Sequence, residues 1–376
     1  MDFGKNLGFG MMRLPQLDPD RAQALDKEQT ARMIDAFIER GFTYFDTAWM
    51  YHDGASERAA GELLVDRHPR GSFTLVSKMF ASLLTCREDA EKMFTAQLQR
   101  THTDHFDFYL HHNMNAENYS AAQKYDVFAY LQRRKEQGYI GALGFSFHDS
   151  VELLEQILTE HPEMDFVQLQ INYLDWESEN VQSRLCYECA RRHGKSIIVM
   201  EPLKGGALVR LPSEAEAVLR AIHPDWSNAA WANLFCASLD GVEMVLSGMS
   251  TWEQLDENTR VFAAQRRLNE EELAAVWRVR DIIKSSGEIP CTACRYCIEV
   301  NPCPQSIAIP SYFSLYNLEK FDIKRPFSPQ KEYYDYLVAN GSGRAADCIK
   351  CGLCERSCPQ HIDIRTNLEK VSAMWD

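Results

Sequence analysis

Along residues 1–285 two hydrophobic patterns alternate. Short runs rich in β-branched and aromatic residues predict strands at 42–47, 73–78, 106–112, 140–147, 166–171, 196–200 and 242–247. Near 7–13 the chain reads as a first strand or a short hairpin closing a barrel floor. Between the runs, apolar residues recur every three or four positions and predict helices at 27–40, 56–66, 87–100, 121–137, 150–159, 177–193, 228–238 and 252–264. Such alternation implies parallel strands joined by right-handed crossovers. About eight units in roughly 270 residues match a (β/α)8 TIM barrel. A doubly wound open sheet is the competitor, but no Gly-x-Gly-x-x-Gly follows the first strand.

Residues 267–285 read as one amphipathic, charged helix leaving the barrel, and Gly287 and Pro290 break it. We therefore expect a barrel at 1–285 and a small second domain at 286–376. Of twelve cysteines in 376 residues, eight fall between 291 and 358. They form two runs. Cys291, Cys294 and Cys297 precede Cys303-Pro304, and Cys348, Cys351 and Cys354 precede Cys358-Pro359. The second run has the spacing of bacterial iron–sulfur ligation, and the first is longer only by Asn301 and Pro302. Cys303-Pro-Gln-Ser-Ile-Ala-Ile also echoes Cys358-Pro-Gln-His-Ile-Asp-Ile, as an internal duplication would. Three thiolates at this spacing wrap one face of a cubane, and the fourth arrives from elsewhere. Zinc, which is typically held by separated Cys-x-x-Cys pairs, fits poorly. The runs resemble a two-cluster bacterial ferredoxin, in which the last cysteine of each run ligates the other cluster. That resemblance implies one [4Fe-4S] cluster on Cys291, Cys294, Cys297 and Cys358, and another on Cys348, Cys351, Cys354 and Cys303. The Cys186/Cys189 pair lies in an amphipathic helical stretch and reads as core cysteine. Between the runs, Tyr312, Phe313, Tyr316, Phe321, Phe327, Tyr333, Tyr334 and Tyr336 read as packing aromatics.

Composition narrows the partners. A net charge of −14 argues against nucleic acid and anionic membranes. No apolar run is long enough to span a bilayer, and the start of the chain lacks the basic and apolar regions of a signal peptide. Dense cysteine also suits a reducing compartment, so a cytoplasmic location is expected.

In a barrel, chemistry collects at the C-terminal ends of the strands. The predicted ends carry Asp46, with Tyr51 just beyond it, then Lys78, then His111-His112. An ammonium and a carboxylate at adjacent strand ends would shift a nearby phenol.

Phe45-Asp46-Thr47-Ala48-x-x-Tyr51, Lys78 and Asp107-Phe-Tyr-Leu-His-His112 resemble the aldo-keto reductase family from about residue 4 to 285. The resemblance implies a nicotinamide cofactor, NADP or NAD, bound without a Rossmann motif, and a catalytic set of Asp46, Tyr51, Lys78 and His112. His112 is preferred to His111, which would point to the other face of its strand. Tyr51 would protonate a carbonyl oxygen as hydride reaches its carbon. Lys78, held by Asp46, would lower the phenol's pKa, and His112 would orient the carbonyl. Cofactor contacts implied in the same way are Ser146, Gln170 (with Gln168 as an alternative register), Met200, Gly248, Ser250, Gln254 and Asn258. Phe147 stands where the family often has an asparagine, and no cation for a 2′-phosphate is visible at Ser250 or Gln254.

Three functions are compatible with this reading. One is an NAD(P)H-dependent oxidoreductase acting on a small carbonyl or alcohol, with its clusters structural or wired to ferredoxin or another electron carrier. The second is a ferredoxin-linked reductase with a flavin to split electron pairs, although no flavin motif is present. The third is a non-catalytic redox sensor.

Overall fold

The computed structural model describes residues 3–18, 21–264, 266–321 and 328–376. Eight strands close into a parallel barrel in chain order: β1 (Leu7–Gly10), β2 (Tyr44–Asp46), β3 (Thr74–Met79), β4 (Phe106–Met114), β5 (Ile140–Phe147), β6 (Phe166–Gln170), β7 (Ser196–Met200) and β8 (Val242–Gly248). Every neighbouring pair is parallel, and β1 closes on β8 with Gly10 opposite Gly248. The expected architecture is therefore present. The open sheet is excluded, because it would leave β1 and β8 unpaired.

Helices cross between the strands: α1 (Lys27–Glu39), α2 (Ala55–Ala60), α3 (Glu88–Arg100), α4 (Ala116–Lys124), α5 (Val127–Glu136), α6 (Val151–Glu160), α7 (Ser183–Arg192), α8 (Ser213–Arg220), α9 (Asn228–Ala237) and α10 (Trp252–Ala263). Two expected helices differ. The one read at 121–137 is broken between α4 and α5, where Asp126 takes the left-handed conformation (φ 59°). The one read at 177–193 starts only at Ser183, after Gln182 at φ 54°. At 7–13 the short strand β1 is followed by a single 3-10 turn, Met11–Arg13.

Alternation decides what faces the barrel axis. Tyr44, Val76, Phe108, Leu110, Ala142, Phe166, Ile198, Met244 and Leu246 form one buried cluster with Phe3. Each strand from β2 to β8 contributes to it. Gly8 completes the layer because space is short there. A Cβ at Gly8 would lie 2.6 Å from Leu246 and 3.0 Å from Tyr44. Two residues beyond these positions, on the same inward face, come Asp46, Lys78 and His112. The parity that fills the barrel floor with aromatic rings therefore aims polar groups inward at the strand ends.

Contacts divide the chain into two compact units. The first comprises Met1–Asn172, Gln182–Pro202 and Ala232–Leu268, and the second Tyr173–Val181, Leu203–Trp231 and Asn269–Asp376. The second contains α11 (Glu270–Ser286), α12 (Tyr296–Glu299), α13 (Ile309–Phe321), α14 (Pro329–Ala339), α15 (Leu353–Arg356) and α16 (Ile364–Trp375). Its core gathers Ile289, Ile307, Ile309, Tyr312, Phe313, Tyr334, Val371 and Trp375 with the thiols of Cys297, Cys354 and Cys358. Tyr312, Phe313, Tyr316 and Tyr334 are buried as expected, whereas Tyr333 and Tyr336 are exposed. Those two share one face of α14, three residues apart, while Tyr334 points to the core. Phe327 and the side chain of Phe321 lie outside the described residues. No helix among the described residues is long and apolar enough to cross a membrane.

Candidate active site and two cysteine-lined cavities

Four of the residues singled out in the sequence meet at the ends of β2, β3 and β4. The Lys78 ammonium donates to Asp46 Oδ1 at 2.5 Å, to the Thr47 carbonyl at 2.9 Å and to the Tyr51 hydroxyl at 3.3 Å. Its Nζ also lies 4.7 Å from the Tyr51 ring centre. His112 packs edge-on against Tyr51 at 5.8 Å and against Phe80 at 5.4 Å. Lys78 is fully buried, and Asp46 and His112 nearly so, while Tyr51 is half-buried. Tyr51 can therefore face a ligand while its neighbours are shielded from bulk water.

Electrostatics here follow from burial. Desolvation pushes the Asp46 carboxyl up and the Lys78 ammonium down, and their pairing opposes both shifts. His112 is held well below the usual imidazole value by burial, then by the Lys78 and His148 charges, so it is neutral. Tyr51 differs from the expectation. Its phenol is raised, not lowered: burial dominates, and the negative charges of Asp46 and Glu201 add to it. Lys78 is itself matched by Asp46, so its charge does not overcome desolvation. Tyr51 therefore stands as a protonated donor.

Behind this group the outward face of β3 is braced. Ser77 donates to Glu57 at 2.7 Å, Gln97 to Glu57 at 2.6 Å and to the Lys78 carbonyl at 3.0 Å, and Arg100 to Glu57 at 3.1 Å. Glu57 and Gln97 are fully buried, so the backbone that carries Lys78 is fixed from both sides. His111, on the outward face of β4, stacks on Phe128 at 4.1 Å. Burial pushes it down to about 3, with His161 adding to the effect. It lies in an aromatic layer under α5, away from Tyr51.

The cofactor candidates separate into two groups. Ser146, Gln168, Gln170 and Met200 share the inward parity of their strands, and Ser146 Oγ accepts from the Asn113 amide at 2.8 Å. Gly248 ends β8, where a Cβ would press on the Arg13 side chain at 3.1 Å. Ser250 and Gln254 serve the start of α10: the Ser250 amide donates to Gln254 Oε1 at 2.7 Å, and Ser250 Oγ donates to the Arg13 carbonyl at 2.7 Å. Asn258 is buried behind the sheet, donating to Ser247 Oγ at 3.0 Å and accepting from Asn233 at 3.2 Å. Phe147 is buried on the outward face with Phe145. Two residues escaped the sequence reading. Glu201, at φ 58°, places its charge near Tyr51, and Arg13 lies against Gly248 and Ser250. A charged residue just past a strand end was the only available signal for either.

In the second unit the eight clustered cysteines line two cavities. Cys291, Cys294, Cys297 and Cys358 surround one, together with Thr292, Gln360 and Ile362. Cys303, Cys348, Cys351 and Cys354 surround the other, together with Ile309 and Arg365. The chain thus crosses over, each run sending its last cysteine to the other run's cavity. The donor chemistry suits a cationic iron–sulfur group. The Cys297 thiol is pushed far up, first by burial and then by Cys294, Cys291, Cys358 and Cys354. Such thiols can ionise together only around a compensating cation. In the barrel unit, by contrast, Cys186 and Cys189 are buried as expected, and the Cys189 thiol donates to Glu155 at 3.3 Å.

A family model described as "Aldo/keto reductase family" matches residues 6–281. The chain belongs to the aldo/keto reductase family. It is accordingly an oxidoreductase, and its C-terminal part is a 4Fe-4S domain: the model described as "4Fe-4S dicluster domain" matches residues 290–363. A curated relative, an uncharacterized oxidoreductase YqkF of Bacillus subtilis (strain 168), is 24% identical over 284 residues, covering 67% of this chain and 87% of its own length. Among solved structures, the thermostable aldo-keto reductase Tm1743, solved with the inhibitor epalrestat, is 23% identical with a TM-score of 0.57. The match covers 73% of this chain and 94% of that one. Aldo-keto reductase AKR11C1 from Bacillus halodurans in its holo form is 23% identical with a TM-score of 0.56, covering 73% and 91%. An aldo/keto reductase from Klebsiella pneumoniae, solved with NADP and acetate, is 20% identical with a TM-score of 0.57, covering 73% and 91%. At these identities the structural likenesses establish the fold.

Proposed function

We propose that the barrel reduces a small carbonyl compound, or oxidises the corresponding alcohol, with NADP(H) or NAD(H), and that the domain beyond residue 286 holds two [4Fe-4S] clusters. The observation that carries the catalytic part is the buried hydrogen-bond chain from Asp46 through Lys78 to Tyr51, with neutral His112 beside it. The NADP in the Klebsiella pneumoniae structure supports the cofactor class. Ser146, Gln170 and Met200 would hold the nicotinamide, and the segment from Gly248 to Asn258 the adenosine end. Bound there, the nicotinamide supplies or accepts the hydride.

Tyr51 gives its hydroxyl proton to the substrate oxygen as negative charge develops on it. The phenol carries its proton at neutral pH and so stands in the donor form, while its raised pKa works against proton release. Lys78, donating to the same oxygen, then stabilises the phenolate left behind, and Asp46 holds Lys78 in that position. Neutral His112 donates to or orients the carbonyl without adding a charge to the site. Cys291, Cys294, Cys297 and Cys358 would ligate one cluster, and Cys348, Cys351, Cys354 and Cys303 the other. The test is carbonyl reduction by the cluster-loaded protein. Tyr51→Phe should lower kcat at least a hundredfold with little change in cofactor binding, and full retained activity would overturn the mechanism.

A second reading has electrons entering from ferredoxin or a similar carrier. The exposure of Cys351 and Ile349 at the second cavity favours it. It predicts turnover with reduced ferredoxin in the absence of nicotinamide, whereas strict dependence on NADPH or NADH would eliminate it.

A further inference from the structure

Within the second unit, three nearly buried polar side chains that are not cysteines converge at the wall of an open pocket of about 460 Å³. Lys204 Nζ donates to both carboxylate oxygens of Asp175 at 2.6 Å and to Gln360 Oε1 at 3.3 Å. Lys204 is 1% exposed, and Asp175 and Gln360 are each 4% exposed. The loop that delivers Lys204 is strained. Lys204, Gly205 and Gly206 have successive φ values of 48°, 64° and 97°, a left-handed run that a lysine rarely enters. Gly205 is required on a second count, since a Cβ there would sit 2.1 Å from the carbonyl oxygen of Thr292. The loop therefore lies directly against the backbone next to Cys291. Gln360 follows Cys358 by two residues and lines the same cavity as Cys291, Cys294, Cys297 and Cys358. The Lys204 ammonium is therefore one hydrogen bond from the cavity wall. Asp175 does not line that cavity.

We infer that Lys204 is a positioning residue for electrons: a fixed buried cation that raises the reduction potential of the cluster held by Cys291, Cys294, Cys297 and Cys358, with Asp175 moderating it. This rests on the cluster assignment proposed above. One-electron reduction adds a negative charge to the cluster, and a desolvated cation nearby favours the reduced form. Arg365 at the other cavity is half-exposed and paired with Glu355 at 2.8 Å, so water screens it. The structure therefore predicts two clusters of unequal potential, of which only one responds to Lys204.

The test is an anaerobic, EPR-monitored dithionite titration of the cluster-loaded full chain. Lys204→Met should lower one of the two midpoints while leaving the other in place. A unit charge at this range shifts the one-electron equilibrium by about tenfold, about 59 mV. Asp175→Asn should raise the same midpoint, because it leaves the cation uncompensated, and Lys204→Arg should restore most of the wild-type value. A merely structural role would move both variants in the same direction, and that result, or no movement, overturns the inference. If Lys204→Met fails to assemble its cluster, Asp175→Asn decides alone: a rise supports the inference and a fall or no change overturns it. A wild-type protein with only one reducible centre overturns the cluster assignment itself, and this inference with it.

Discussion

Replacing Lys78 by methionine keeps most of the side chain's volume and removes its charge. What remains is the Asp46 carboxylate, with 3% of its side chain exposed, facing no cation. At 2.5 Å and an effective dielectric constant of about 20, the lost attraction is on the order of 6–7 kcal/mol. Asp46 can escape much of that by taking up a proton, because burial already pushes its carboxyl up. The net cost of breaking a buried pair in this way is about 3–5 kcal/mol. The double variant Lys78→Met with Asp46→Leu has no orphaned charge and should lie within about 1–2 kcal/mol of the native protein. Urea unfolding at pH 7, followed by hydrogen exchange of the β2–β3 amides, measures the two single variants, Lys78→Met and Asp46→Leu, and the double variant. A single substitution costing less than 1 kcal/mol, or a double variant costing the sum of the two singles, would refute the claim that the pair is desolvated and coupled. Activity offers a separate check. Lys78→Met and the double variant should have lost carbonyl reduction, because neither keeps a cation at the Tyr51 hydroxyl.

Further outcomes follow from the same structure. His111 is held at about 3 when folded and near 6.5 when unfolded, so below pH 6.5 the unfolded chain binds a proton that the folded chain refuses. Barrel stability should therefore fall by about 1.4 kcal/mol per pH unit between pH 6 and 5, and His111→Phe should flatten that slope in melts across the range; an unchanged slope refutes the assignment. Gly8→Ala forces a methyl against Leu246 and Tyr44, and should cost about 1–3 kcal/mol in urea midpoint by overpacking; a neutral substitution would mean that the barrel floor has slack. Extracting iron with ferricyanide and a chelator should unfold α12 and α15, which have four residues each and are too short to persist alone. The barrel strands should keep their exchange protection, because their core contains no cysteine from the two runs; loss of protection there would show that the barrel depends on the clusters.

Much of this molecule was already determined by local pattern. The alternation of strands with crossovers implied parallel strands in the number and size of a barrel, whereas closure itself rests on the pairing of β1 with β8. Strand parity put Asp46, Lys78 and His112 on one face and His111 on the other. Cysteine spacing carried the iron–sulfur reading, because three thiols at three-residue intervals are held close together by the chain itself. What only the tertiary structure decided is non-local. The break at Asp126 and the late start of α7 depend on single left-handed residues that no periodicity reveals. The direction of the Tyr51 shift depends on burial, and on a Glu201 far away in sequence, against a cation already spent on Asp46. Lys204, Asp175 and Gln360 come from three distant segments, and only their packing makes a loop lysine into a buried charge one hydrogen bond from the wall of a cysteine-lined cavity. Sequence pattern settles which face a residue takes, but desolvation is a property of everything packed around it.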